Sequence, residues 1–303
     1  MINGIINIYK EKGFTSHDVV AKLRSITKQK KIGHTGTLDP DAEGVLPVCF
    51  GKATRLCDML TDKNKTYETV LLLGKSTDTQ DITGTVLEEC DTDRLTEEAV
   101  KACILGYEGE YEQLPPMYSA LKVNGKKLYE LAREGIEVER KTRKVIIFQI
   151  EILEMRLPRV HMRVSCSKGT YIRTLCHDIG KELGCGGCMD SLLRTRVGKF
   201  ELQDSHRLEE IAGLQESGSL GSVLVPVDAM FSEQKAVLLL PEYDRLAYNG
   251  NVIPKSGIKT DLHFADGEQV RIYDSKNTFT GIFRYSGRPG SFRPEKMFYD
   301  PES

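Results

Sequence analysis

The chain has 303 residues, room for one large domain or a large one with a small companion. Its 40% hydrophobic and 28% charged content is ordinary for a soluble globular protein. A net charge of −2, from 42 basic and 44 acidic residues, excludes a chain that is basic overall, so a nucleic-acid partner would have to meet a locally basic face. No apolar run approaches the length needed to span a bilayer, and the first residues, M-I-N-G-I-I-N-I-Y-K, lack a signal-peptide layout. A cytoplasmic protein without membrane contact is expected. The eight cysteines are scattered rather than dense, against a secreted disulfide scaffold. Cys185 and Cys188 form one C-x-x-C flanked by Gly184, Gly186 and Gly187, which reads as a helix end with reduced thiols rather than a zinc site.

In chain order, residues 1–10 alternate loosely and predict an opening strand ending at Lys10. Thr15 and Asp18 have capping-box spacing, with Val19, Leu23 and Ile26 on one face of the helix that follows. Lys22, Arg24, Lys28, Lys30 and Lys31 come without an acid among them. They suit the helix dipole or a phosphate-facing edge, and the two are compatible. Gly33 to Gly44, G-H-T-G-T-L-D-P-D-A-E-G, holds three glycines, one proline and three carboxylates, a loop composition. The apolar run Val45–Phe50 behind it reads as a buried strand, and a polar loop on such a strand is a usual place for chemistry. Asp39 precedes Pro40, which biases it toward extended backbone. Asp39, Asp41, Glu43 and Gly44 imitate an EF-hand opening, but its twelfth position is Phe50 instead of glutamate, so calcium is excluded. By composition alone these acids equally suit a turn facing water.

Ala53 to Leu60 reads as a helix, and a strand follows with Tyr67, Thr69 and Leu71 on one face. Tyrosine in a strand is more often a packing residue than a catalyst. Residues 94–106 form an amphipathic helix opened by Thr96. After the Pro115–Pro116 breaker, Lys122 to Lys144 carries eight Lys or Arg against four Glu, near Tyr118 and Tyr129. That excess fits an RNA-tracking surface or a solvated helix hairpin. Strands are predicted at Val145–Leu153 and Val160–Cys166, then a helix with Ile172, Leu175, Ile179 and Leu183 as its apolar stripe. Arg173 lies off that stripe in the first turn, where the dipole disfavours a cation, so it calls for a carboxylate or phosphate partner. Residues 215–222 turn small and polar, and from about 235 short strands and turns take over.

Four stretches, in order, resemble the TruB family of tRNA pseudouridine synthases: G-H-T-G-T-L-D-P-D-A-E-G-V-L-P, K-T-Y with L-G-K-S-T-D-T-Q-D-I-T-G, P-P-M-Y-S-A-L-K-V-N-G, and C-S-K-G-T-Y-I-R with L-L-R-T-R-V-G-K-F. The resemblance implies an α+β fold: a mixed β-sheet flanked by helices, with a small C-terminal β-barrel of PUA-like type. It implies a catalytic domain over 1–230 with an RNA-binding insertion about 108–144, and a PUA-like RNA-binding domain over 235–303. Asp39 matches the family's catalytic carboxylate and Arg173 the arginine paired with it. Tyr67 matches the tyrosine that packs on the target base and moves a proton. His34 matches the side chain that fills the space of the flipped base, and Leu192 the leucine of the pocket. Gly33, Thr35, Gly36, Leu38 and Lys10 belong to the substrate-binding set of the same motifs. Two departures stand out: Glu11 replaces a family proline, and Leu193 replaces the first arginine of a pair.

The implied reaction cuts the bond between a uridine base and its ribose, turns the base, and rejoins it through carbon. Nothing is oxidised, and the chain has neither G-x-G-x-x-G nor G-x-x-x-x-G-K-[ST], so no cofactor and no metal are expected. One ionised carboxylate can serve as nucleophile or as base, and a paired arginine is expected to lower its pKa by roughly 1–3 units. The implied substrate is the T-loop uridine at tRNA position 55, in a T-arm stem-loop read by shape, with the enzyme acting as a monomer without a protein partner. An RNA-binding or tRNA-folding module that performs no chemistry is the alternative.

Overall fold

The computed structural model describes residues 1–123 and 125–299. Its main body is a mixed sheet. The strands that frame the site are β1 (Gly4–Lys10), β2 (Ile32–His34), β3 (Glu43–Phe50), β4 (Lys65–Leu73), β5 (Gly109–Gln113), β6 (Arg143–Arg156), β7 (Arg159–Cys166) and β8 (Gly187–Val197). The sheet order is β1-β3-β8-β4-β7-β6-β5, with β2 beside β3 and the short strand Phe200–Glu201 beside β8. Every neighbouring pair on this path is antiparallel except β3 and β8, which run parallel and meet at only two residue pairs, Leu193–Glu43 and Arg194–Gly44. The sheet therefore has two halves, joined by a narrow seam at the start of β3.

Each half is held by its own core. Helix α1 (Ser16–Thr27) opens with the expected capping box between Thr15 and Asp18 and buries Val19, Val20 and Leu23 against Ile6, Ile8, Leu46 and Val48. Helix α2 (Glu97–Leu105), N-capped by Thr96, and helix α3 (Ile172–Glu182) bury Val100, Ile104, Ile172, Leu175 and Ile179 against Leu71, Val160, Met162 and Val164. The strict alternation of Val160, Met162, Val164 and Cys166 places all four inside, as period-2 patterning requires.

Three local expectations need correction. The loop is shorter than its composition indicates: Gly33 and His34 pair with Cys49 and Val48 in β2, and Glu43–Gly44 already belong to β3. The helix expected over Ala53–Leu60 divides into a 3-10 turn, Gly51–Leu56, and a short α-helix, Cys57–Thr61; neither start has a side-chain cap. The basic segment before β6 is no helix hairpin. Gly109–Gln113 and Arg143–Lys144 are strand pairs of the main sheet, and between them lie the paired strands Lys122–Val123 and Lys126–Lys127 and a six-residue helix, Leu128–Arg133.

The C-terminal strands are β9 (Lys235–Leu238), β10 (Ile253–Pro254), β11 (Gln269–Tyr273), β12 (Phe279–Ser286) and β13 (Ser291–Met297), in the order β9-β11-β12-β13-β10. A bridge between Leu239 and Ile258 joins the two ends of this curled sheet around Val237, Val270, Ile272, Phe283 and Phe292, the half-barrel of a PUA-like unit. Ile282 and Phe298 pack on Val45, Cys49 and Phe231, so the small unit shares a core with the back of β3. Among the described residues no helix is long and apolar enough to cross a membrane.

Gly44 at the seam has φ +104°, and a Cβ there would lie 2.3 Å from the Arg194 carbonyl oxygen. Both strain and a backbone clash oppose any larger residue, so Gly44→Ala is expected to cost more than about 2 kcal/mol, measured by denaturant unfolding. A loss well below that would mean that the seam yields.

Candidate active site

Asp39 sits on the loop Thr35–Ala42, directly above the seam. Four anchors hold this loop's backbone. The Ser16 hydroxyl accepts from the Leu38 amide at 2.9 Å, and the Gly13 amide donates to the Pro40 carbonyl at 3.0 Å. Lys10, fully buried, donates from Nζ to the carbonyls of Pro40 at 3.0 Å and Ala42 at 2.5 Å. Thr35, also fully buried, donates through both its amide and its hydroxyl to the Pro47 carbonyl. Gly36 has φ +131°, a backbone that favours glycine. The loop is thus pinned at Thr35, Leu38, Pro40 and Ala42.

Arg173 reaches Asp39 from the first turn of α3. Its Nε lies 2.9 Å from Oδ2 and its Nη2 3.4 Å from Oδ1, so the fork engages both carboxylate oxygens. The same guanidinium donates to the carbonyls of Thr79 at 3.0 Å and Tyr118 at 2.8 Å and lies 3.7 Å from Asp81 Oδ2. Arg173 is 5% exposed, whereas 40% of the Asp39 side chain is open. The carboxylate is thus partly open while the guanidinium that holds it is enclosed.

The surroundings of Asp39 correct the electrostatic expectation. Burial is the largest influence on Asp39 and raises its pKa above the ordinary value; Arg173 is the largest opposing influence, with Asp81 raising it further and Lys10 lowering it. The net direction is upward, so the guanidinium moderates the shift without reversing it.

Tyr67 on β4 is 8% exposed and packs in the same cluster as Leu38. Burial pushes its phenol up to about 12, so it is neutral at neutral pH. His34 ends β2; its Nδ1 accepts from the Gly36 amide at 3.3 Å and its ring meets His17 edge-on at 5.2 Å. Burial, with His17 and Arg194 nearby, lowers His34 to about 4, leaving an uncharged ring. Leu192 on β8 is partly buried against the cluster that holds Tyr67 and Leu38. The structure therefore gathers Asp39, Arg173, Tyr67, Leu38 and Leu192 around one seam. Lys10 and Thr35 hold the loop's backbone, and Gly33 is paired with Cys49 in β2 just ahead of it.

Sequence reasoning passed over two participants. Asp81 lies in the quoted T-D-T-Q-D stretch, and its Oδ1 accepts from Thr79 and Thr83, which turns that segment back so the Thr79 carbonyl faces Arg173. Arg194 lies two residues beyond Leu192 on β8 and is 1% exposed. A cation two residues from a partly buried leucine on one strand was the available signal. The departures are local: Glu11 pairs with Arg207 on the surface, and Leu193, half-buried, lies beside Glu43 across the seam.

A carboxylate held by a two-pronged arginine, with Asp81 as a second acid on the same guanidinium and a buried neutral tyrosine in the same cluster, is a site that could carry acid, base or nucleophilic chemistry. Residues 24–172 match the model of the TruB family pseudouridylate synthase N-terminal domain, and 173–232 that of the tRNA pseudouridylate synthase B C-terminal domain. The tRNA pseudouridine synthase B of Lachnoclostridium phytofermentans is 52% identical, covering 98% of this chain and all of that protein. Its counterpart in Clostridioides difficile is 44% identical, again over 98% of this chain and the whole of the relative. A solved Cbf5–Nop10–Gar1 complex contains a chain 28% identical, with a TM-score of 0.71, covering 99% of this chain and 86% of that one. An H/ACA ribonucleoprotein bound to a substrate RNA containing 2′-deoxyuridine gives 25% identity and a TM-score of 0.71, over 98% and 85%. The chain belongs to the TruB family.

The upward shift at Asp39 has a testable sign. The ionised fraction falls as pH drops through a midpoint above 3.8, and Arg173→Ala, which removes the largest opposing influence, is expected to move that midpoint higher. Carboxyl NMR titration of both proteins checks this; a midpoint at or below 3.8 in the native protein contradicts it.

Proposed function

We propose that this protein isomerises the T-loop uridine at position 55 of tRNA to pseudouridine, without a cofactor and as a monomer. The relatives' shared name supports tRNA as the substrate. The observation that carries the chemical reading is the Asp39–Arg173 pair at 2.9 Å, with the carboxylate partly open. Asp39 acts on the ribose or the base of a uridine that has left its stack, an unstacking that costs a few kcal/mol. The glycosidic C1′–N1 bond breaks, the base turns, a C1′–C5 bond forms, and the proton lost from C5 is balanced by one gained at N1.

The other residues take roles that follow from their surroundings. Arg173 holds Asp39 at a fixed angle and tempers the proton affinity that burial gives it. Tyr67 offers a flat face for the base and a neutral hydroxyl for proton transfer. His34 stays uncharged, which suits a ring that stacks into the gap left by an everted base. Leu192 and Leu38 give the pocket apolar walls, and Gly33, Thr35, Gly36 and Lys10 hold the loop in a substrate-ready shape. Residues 1–230 form the catalytic part, with the insertion about 108–144 gripping the T-arm and the 235–303 unit as a second RNA contact.

The test uses an unmodified tRNA transcript, no added cofactor, and mapping of pseudouridine. The native protein is expected to convert the T-loop uridine alone. Asp39→Asn is expected to bind the transcript normally yet lose about 10²–10⁴-fold in rate, and Arg173→Ala to lose most activity. Normal turnover by Asp39→Asn would remove Asp39 from the chemistry, and product at another uridine would overturn the substrate assignment.

A further inference from the structure

Arg194 is the largest fully buried side chain of the molecule among the described residues, and no carboxylate pairs with it there. An unpaired charge in a protein interior costs several kcal/mol, so a guanidinium kept there must be satisfied in another way. Its acceptors are three backbone carbonyls. Nε donates to Val45 at 2.7 Å, Nη2 to Gly36 at 3.3 Å and Nη1 to Thr37 at 3.4 Å. Gly36 and Thr37 open the Asp39 loop and Val45 follows its close, so one planar fork spans both ends. On the far side of its strand, Arg194 stands opposite Tyr67 in the β8–β4 register, which brings the guanidinium and the phenol close together.

The order of donors and acceptors at this pairing matters. Arginine has donors only, so toward this guanidinium the phenol oxygen can only accept, and the tyrosine's own hydrogen is directed elsewhere. The neutral phenol is thereby left as a donor for whatever occupies the space beside Asp39. A lysine at this position has the charge but not the planar fork whose three nitrogens are aimed at separate carbonyls.

We propose that Arg194 is a positioning residue for the isomerisation, locking the two ends of the Asp39 loop to β8 and aiming the Tyr67 hydroxyl into the site. This rests on Asp39 and Tyr67 acting as described above. The arginine itself stays beneath the loop and does not meet RNA.

The experiment compares Arg194→Lys, Arg194→Met, Tyr67→Phe and Asp39→Asn in single-turnover assays on tRNA transcript, with tRNA affinity and thermal unfolding measured alongside. Folded Arg194→Met is expected to keep its tRNA affinity and lose about 10²-fold in the rate of the bound step, as a misplaced reacting group would. Arg194→Lys should recover part of that loss. In a Tyr67→Phe background the Arg194→Lys substitution should cost measurably less than in the native background, because part of its effect runs through the hydroxyl. Native rates in a folded Arg194→Met protein, a defect confined to tRNA affinity, or strict additivity with Tyr67→Phe would each overturn the proposal. So would failure of both Arg194 variants to fold, which would make this a folding residue only. If Asp39→Asn turns over normally, the underlying site reading is what has failed; if Asp39→Asn is inactive while Arg194→Met is native-like, only the positioning role falls.

Discussion

The site depends on keeping an anionic loop rigid above the narrowest join in the sheet. Left to itself, a segment with three glycines, a proline and three acids would sample many conformations and repel its own charges. Here it is fastened from below by two buried cations, Lys10 and Arg194, which between them take the carbonyls of Gly36, Thr37, Pro40, Ala42 and Val45. Hydrogen bonds to charged donors are the stronger kind, roughly 1.5–3 kcal/mol each, and five of them on one short segment are enough to fix it. The cations do not neutralise Asp39 by contact. They act on the backbone and leave Arg173 alone to meet the carboxylate.

This division explains the electrostatics. Asp39 has a higher proton affinity folded than in an unfolded chain, because burial outweighs Arg173. A carboxylate of that kind contributes nothing adverse below its unfolded pKa and subtracts stability as pH rises through its raised folded pKa. Above that folded pKa the ion is held at a cost that the surrounding core must offset. Arg173 is costly too: a buried cation in the first turn of α3 faces the positive end of the helix. Its two carboxylate neighbours and two carbonyl acceptors reconcile it to that position.

Much of this was legible in the chain. The capping box at Thr15, the alternation of Val160 to Cys166 and the stripe of α3 are local patterns, and local patterns survive folding. Arg173 announced its need for an anion through its place in the helix, though only a long-range contact supplies Asp39. What sequence did not reveal is the set of facts that arise between elements. The loop's trimming at both ends comes from pairing with β3, which composition cannot foresee. The sign of the Asp39 shift depends on how many atoms surround it, and a pairwise argument from Arg173 alone reached the opposite sign. Arg194 was hidden inside a motif quoted for its neighbour Leu192, because its meaning lies in the seam where β3, β8 and β4 meet.

The Tyr118 carbonyl carries the argument one step further. It lies at the root of the basic segment between β5 and β6 and accepts from Arg173 Nη2 at 2.8 Å, while Nη2 and Nε hold Asp39. Thr79, on the segment turned by Asp81, is a second outside acceptor of the same guanidinium. One arginine thus fixes the position of the Asp39 carboxylate relative to two segments that lie outside the sheet. Displacing Tyr118 removes a hydrogen bond worth roughly 1.5–3 kcal/mol from a charged donor, and Arg173 would have to find a replacement or shift its fork on Asp39. The geometry of the carboxylate is therefore not independent of where the basic segment rests. The basic segment and the Asp39 carboxylate are joined through a single buried cation.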